Sequence, residues 1–215
     1  MNPESTGFLN RQAGGMKYVV YVPDVAKVTG LPVILYLHGM GESGKDGLRQ
    51  TAIGLPDRLR RSCDRWPFLI VMPQKPTADQ LWPLFQKEID AVLTAVQGEF
   101  EPDAHRRYIT GLSQGGNGTY ELCERLTWNF AAAAPICGWL SEGFDAKTLT
   151  QIPIWSFHGD LDPVVTLALG QAAVDAIKEA GGDVKFTRYP KLTHNSWDAA
   201  YDEAELPQWF LSHQH

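Results

Sequence analysis

Short apolar runs bounded by turn residues recur along the chain and alternate with stretches whose apolar positions repeat every three or four residues. "MKYVVYVP" (16–23) and "LPVILYLHG" (31–39) are the first two runs. The intervening "DVAKVTG" is too short for a crossover helix, so these two are expected to pair antiparallel, at least locally. "WPFLIVMPQ", "RRYITGLS", "FAAAAPICG", "IPIWSFHGD" and "VKFTRYP" follow, each ending in glycine, proline or polar residues, and are expected to be parallel strands. Between them, Phe85, Ile89, Val92, Val96 and Phe100 mark one helical stripe. Val165, Leu169, Ala173, Ile177 and Ala180 mark a second, stopped by Gly181 and Gly182. "GMGESGKDGLRQTAIGLPDRL" (39–59) is glycine-rich and poorly periodic, which suggests a loop entering an irregular helix. The alternation predicts an α/β fold, a mostly parallel central sheet with helices on both faces, built as one domain over residues 1–215.

Composition narrows the function classes. The formal net charge is -6, and the only basic cluster is Arg58 to Arg61, so a nucleic-acid partner is not expected. The longest apolar run falls well short of the roughly 20 residues that cross a bilayer, so no membrane span is expected. "MNPESTGFLNRQAGG" lacks the basic start, apolar middle and cleavage site of a secretory leader, which makes the cytoplasm the default location, a leader already removed being the alternative. Cys63, Cys123 and Cys137 are scattered and odd in number, as reduced buried thiols would be. Without an HExxH, a paired CxxC or a Walker loop, neither a metal nor an organic cofactor is expected.

One motif carries chemistry. "GLSQG" (111–115) fits GxSxG and sits where that motif needs to sit, after the strand-like "RYIT" and before the helix-like "GGNGTYELCERL". A serine at the tip of a sharp strand-to-helix turn has a strained backbone and neighbours crowded enough to require glycine. Ser113 would then be presented as a nucleophile, with the backbone N–H of Gln114 and the positive end of the helix facing the oxygen of a developing oxyanion. The plainer alternative is that Ser113 only caps the helix.

A serine hydroxyl reacts only when a base takes its proton, and histidine suits that task near neutral pH. In nucleophile-elbow enzymes the acid and the base follow the serine in the chain. Of His158, His194, His213 and His215, His194 is preferred as the base, because it lies in the turn beyond the last strand. The turn after "IPIWSFHG" offers Asp160 and Asp162 as the acid, both at the carboxyl edge where ligands bind in open α/β sheets.

"LHGMGESG", "GLSQGG", "HGDLDPVV" and "HNSWDAAY", in that order, resemble the α/β-hydrolase superfamily. The likeness is closest to its phospholipase/carboxylesterase and dienelactone-hydrolase branch, which includes small feruloyl-esterase-like and polyhydroxybutyrate-depolymerase-like esterases. It covers almost the whole chain. It implies an α/β-hydrolase fold without a large lid, Asp162 as the acid, Asp160 as a turn residue, and the N–H of Met40 as the second oxyanion donor beside Gln114. His38 becomes a structural hydrogen-bonder. The implied activity is cofactor-free hydrolysis of a small-molecule carboxylic ester, short-chain or aryl, through an acyl-enzyme. A lysophospholipase, a dienelactone hydrolase, a peptidase or a silent binding protein on the same scaffold are the alternatives. By their places after the turn "PQKPTADQLWP" and after "APICG", Trp82 and Trp139 are candidate aromatic platforms for a substrate, with core packing as the alternative.

Overall fold

A computed structural model describes residues 6–25 and 29–215. Eight strands form one sheet: β1 (Gly7–Ala13), β2 (Met16–Val22), β3 (Val33–Leu37), β4 (Leu69–Pro73), β5 (Arg107–Leu112), β6 (Ala132–Ile136), β7 (Ile154–Gly159) and β8 (Val184–Tyr189). Their order across the sheet is β1-β2-β4-β3-β5-β6-β7-β8. Strands β3 to β8 run parallel, so all their carboxyl ends meet at one edge. The helices are α1 (Leu55–Ser62), α2 (Gln86–Phe100), α3 (Gln114–Leu122), α4 (Leu167–Glu179), α5 (Trp197–Asp202) and α6 (Leu206–Leu211).

The strand runs are apolar throughout because both faces of the sheet are covered. Val20, Val33, Leu35 and Leu37 pack on one side with Ile89, Val92 and Val96 of α2, Tyr120 of α3, and Val174 and Ile177 of α4. On the other side Val19, Ile34, Tyr36 and Ile70 meet Leu55 and Leu59 of α1, Tyr201 of α5 and Phe210 of α6. Each such aliphatic side chain, taken fully from water, stabilises the fold by about 1.5–3 kcal/mol before conformational entropy is counted. Helix α2 buries the stripe Ile89, Val92, Val96 and Phe100 as expected from its spacing. Gly181, with φ +95, follows α4, and the N–H of Gly182 returns to the carbonyl of Ile177 at 2.9 Å. Among the described residues no helix is long and apolar enough to cross a membrane.

Three expectations need correction. The runs that became β2 and β3 do not pair, because β4 lies between them, antiparallel to β2 and parallel to β3. An additional strand, β1, forms a hairpin with β2 across Gly14 and Gly15. In α4 the buried face is Gly170, Ala173, Val174 and Ile177, whereas Leu169 is 48% exposed. Of the cysteines, Cys123 and Cys137 are buried and Cys63 is exposed.

Candidate active site

Ser113 is the single residue between β5 and α3, and its backbone lies at φ 56, ψ -117, a region a non-glycine residue rarely enters. Such a conformation costs about 1–3 kcal/mol and survives only where neighbours enforce it. They do so here: the N–H of Ser113 donates to Ile136 at 3.0 Å, and its carbonyl accepts from Asn117 at 3.0 Å. The flanking glycines have a direct steric cause. A Cβ on Gly111 would stand 2.5 Å from the carbonyl oxygen of Gly115 and 2.6 Å from that of Leu37, and one on Gly115 would overlap the Leu37 carbonyl. Ser113 occupies the N-cap position of α3, yet its side chain makes no cap hydrogen bond. The hydroxyl turns instead to His194, with Oγ 3.0 Å from Nε2.

The other imidazole nitrogen of His194, Nδ1, is 2.7 Å from Asp162 Oδ2. The remaining oxygen of that carboxylate accepts the N–H groups of Val164 at 2.8 Å and Val165 at 3.0 Å. These bonds fix the tautomer: Nδ1–H donates to the carboxylate, and Nε2 is left to accept the hydroxyl proton. The Asp162 side chain is fully buried, and that of His194 is 20% exposed, so the imidazole alone of the pair reaches solvent. The two turns that carry them are joined by Leu161 N–H donating to Leu192 at 3.0 Å, and by the close packing of Gly159 on the backbone of Leu192 and Thr193. Trp197 meets the His194 ring edge-on, centroids 5.4 Å apart.

The competing residues are engaged elsewhere. Asp160 forms a bidentate pair with Arg188 at 2.9 and 2.8 Å. His158 is buried beneath the acid turn, donating from Nε2 to the carbonyl of Val165 at 2.8 Å, with Asp162 Oδ2 3.6 Å away. His213 bonds the carbonyl of Trp209, and His215 lies against His105.

The N–H groups of Met40 and Gln114 each open a helical turn, Met40–Glu42 and α3 respectively, where no intrahelical acceptor exists for them. His38 is buried, with Nδ1 2.6 Å from the carbonyl of Gly39 and Nε2 accepting the N–H of Lys75 at 3.1 Å. Burial pushes its pKa down to about 3, so the ring is a neutral brace for this loop.

The two tryptophans separate. Trp82 is fully buried, its indole N–H donating to the carbonyl of His38 at 2.9 Å and its Cβ so close to Gly118 of α3 that no side chain would fit there. It is closed to a substrate, and its expected role as a platform is corrected to packing beneath the loop. Trp139 is half-buried in the segment after β6, where Asn117 holds its carbonyl.

One neighbour had no signal in the pattern of the chain. Cys137, with φ 39, places its sulfur in a group with a carboxylate oxygen of Asp162 and a ring nitrogen of His194, all within 4.8 Å of one another. Such a donor set could in principle hold a metal ion. Its members are otherwise committed, however: the Asp162 oxygens already accept three N–H groups, and burial pushes the Cys137 thiol up to about 12. A protonated thiol behind the imidazole is a packing surface, not a ligand.

A family model described as Phospholipase/Carboxylesterase matches residues 75–206, more than half of the chain and the segment that carries Ser113, Asp162 and His194. The chain belongs to this family. It is 33% identical over 145 residues to Acyl-protein thioesterase 1 of Neurospora crassa, covering 60% of this chain and 51% of that protein. It is 34% identical over 96 residues to a carboxylesterase of Arabidopsis thaliana, 41% of each chain. The chain thus spans about half the length, or less, of these curated relatives. Among solved structures, a thermostable esterase superposes with a TM-score of 0.83 at 27% identity over 97% of this chain and 62% of the other. A ferulic acid esterase shares the fold at a TM-score of 0.67 and 17% identity, 94% of each chain being covered. The α/β-hydrolase fold expected from the motifs is therefore established, with no large lid among the described residues.

Proposed function

We propose that this phospholipase/carboxylesterase-family protein is a serine ester hydrolase that cleaves small carboxylic esters, short-chain or aryl, through an acyl-enzyme. The observation that carries the reading is the continuous chain from the Ser113 hydroxyl to His194 Nε2 at 3.0 Å and from Nδ1 to the buried Asp162 carboxylate at 2.7 Å. In the reaction Ser113 Oγ attacks the ester carbonyl carbon as His194 takes its proton. The N–H groups of Met40 and Gln114 stabilise the oxygen that becomes negative, and Asp162 stabilises the imidazolium. His194 then gives the proton to the departing alcohol. A water molecule, deprotonated by the same imidazole, attacks the acyl carbon and releases the acid and Ser113.

Substrate preference is read from the edge around Ser113. Met40, Leu84, Leu161 and Val164 are large, apolar and exposed, and all lie in connections leaving the carboxyl ends of β3, β4 and β7. An apolar rim of this kind suits an acyl or aryl group, and half-buried Trp139 and Trp197 are the aromatic surfaces available to it. The name of the Neurospora crassa relative favours thioesters as a second class of leaving group, since the attack on the carbonyl is the same and only the departing atom changes.

The test is steady-state hydrolysis of p-nitrophenyl acetate and butyrate, methyl ferulate and a short-chain acyl thioester by wild type and Ser113→Ala. Wild type should turn over the activated esters, and Ser113→Ala should fall to background with an unchanged circular dichroism spectrum. A Ser113→Ala protein as active as wild type would remove the serine from the mechanism.

A further inference from the structure

The segment that follows β4, residues 74–82, touches both halves of the proposed oxyanion pocket. Its centre is Lys75, whose side chain is fully buried. The ammonium donates to Ser43 Oγ at 2.8 Å and to the carbonyl of Thr77 at 2.6 Å. Ser43 closes the turn that begins at Met40, its N–H returning to the Met40 carbonyl at 3.3 Å. Thr77 precedes Ala78, whose carbonyl accepts the side-chain amide of Gln114 at 3.0 Å. The backbone of Lys75 strengthens the first link: its N–H donates to His38 Nε2 at 3.1 Å, and its carbonyl accepts Gly44 N–H at 3.0 Å. The adjacent Gln74 amide donates to the carbonyl of Glu42 at 3.1 Å.

A buried ammonium carries a heavy desolvation penalty, and here its two direct acceptors are both neutral. An aliphatic side chain of the same length would fill the space without that penalty. Packing alone therefore does not account for lysine at this position. What the ammonium does that a hydrocarbon could not is join the Met40 turn to the Thr77–Ala78 turn through two hydrogen bonds.

We propose that Lys75 is a positioning residue for the oxyanion pocket: its buried ammonium ties the Met40 turn to the Thr77–Ala78 turn, which holds the Gln114 side chain at the start of α3, and so fixes the spacing of the Met40 and Gln114 N–H groups. The proposal rests on Ser113 being the nucleophile. Its direction with pH follows from the surroundings. Glu42 from the Met40 turn and Asp79 from the following turn favour the charged form, His38 at the end of β3 is neutral, and burial outweighs them, bringing Lys75 down to about 8. The ammonium is present below that pH and is lost above it, so its support of the pocket weakens as pH rises through about 8.

The experiment measures kcat and KM for p-nitrophenyl butyrate between pH 6 and 9.5, with thermal melting alongside, for wild type, Lys75→Met, Lys75→Gln and, as the blank, Ser113→Ala. Removing a whole oxyanion donor lowers kcat by about 10²–10³-fold, so loosening two of them should lower it by about 10- to 100-fold in Lys75→Met while KM stays within about twofold. Wild-type kcat should fall above pH 8, and that fall should be absent from Lys75→Gln, which keeps an N–H donor and has no charge to lose. A Lys75→Met kcat within twofold of wild type, a loss confined to KM, or a wild-type kcat that stays level to pH 9.5 overturns the proposal. The wild-type pH profile and Lys75→Gln decide the matter even where Lys75→Met does not fold. Wild type no faster than Ser113→Ala would instead refute the hydrolase reading, a result distinct from any of these.

Discussion

Replacing Asp162 with asparagine tests the site most sharply, because the structure dictates which way the new amide must face. One carboxylate oxygen accepts two backbone N–H groups, from Val164 at 2.8 Å and Val165 at 3.0 Å, and only a carbonyl oxygen can take that place. The amide nitrogen is then left at the position 2.7 Å from His194 Nδ1, where it can only donate. Nδ1 must accept, the ring proton moves to Nε2, and Nε2 can no longer take the proton of Ser113. The side chain is fully buried, so water cannot relieve the constraint. A serine hydrolase with its histidine in the wrong tautomer loses about 10⁴ in kcat, which corresponds to about 5.5 kcal/mol of transition-state stabilisation. Asp160→Asn, two residues earlier, only breaks a solvent-exposed pair with Arg188 and should leave kcat within about twofold. Steady-state hydrolysis of p-nitrophenyl butyrate at pH 7.5, with circular dichroism to show equal folding, measures both. Asp162→Asn within tenfold of wild type, or Asp160→Asn reduced as severely, would refute the assignment of the acid.

Three further outcomes are expected. Gly115→Ala places a methyl group on the Leu37 carbonyl and should lower stability by about 3 kcal/mol or more, seen as a shifted urea midpoint; an unshifted midpoint would contradict the packing described. His38 is held near pKa 3 in the folded state against about 6.5 when unfolded, so its contribution is full above pH 6.5 and is lost as pH falls toward 3. That loss is on the order of 4 kcal/mol by pH 3, and the difference in urea stability between pH 7 and pH 4 should shrink in His38→Gln, an equal difference counting against it. Trp139→Ala should raise KM for methyl ferulate more than for p-nitrophenyl acetate, whereas Trp82→Phe should lower the melting temperature and leave the ratio of the two unchanged.

Much of the fold was legible because its signals are local. The runs that became β3 to β8 are short, apolar and bounded by turn residues, and the stripe Ile89, Val92, Val96 and Phe100 has the period of the helix it forms. The misplaced pairing of β2 shows what such signals omit. The brevity of "DVAKVTG" argues against a crossover helix before β3, but strand order is decided by which distant strand offers the better partner, and β4 pairs with β3 from 36 residues further along the chain, Ile34 with Ile70 and Leu35 with Val71. Strand β1 was missed for a different reason. "GFLNRQA" is an edge strand with one face partly open, so its apolar content is low, and only Gly14-Gly15 between it and β2 marks the hairpin.

The candidate site divides along the same line. Ser113 could be singled out from the chain because the glycines around it are dictated by its own turn, and His194 by its place beyond the last strand, whereas position left Asp160 and Asp162 both open as the acid and only the resemblance of "HGDLDPVV" chose Asp162. Cys137, Trp197 and Lys75 could not, since what distinguishes them is a contact across the fold: a sulfur beside the Asp162 and His194 pair, an indole edge on the imidazole, an ammonium joining Ser43 to Thr77. Trp82 makes the point in reverse. Its position after β4 puts it in a connection leaving the carboxyl edge of the sheet, but the same closeness of α3 to β3 that makes Gly115 obligatory also presses Gly118 onto the Trp82 side chain and shuts it away from solvent. The tight turn that presents Ser113 is thus the cause of a buried indole, and enlarging Gly118 should disturb the loop of His38 and Met40 through Trp82 before it disturbs Ser113 itself.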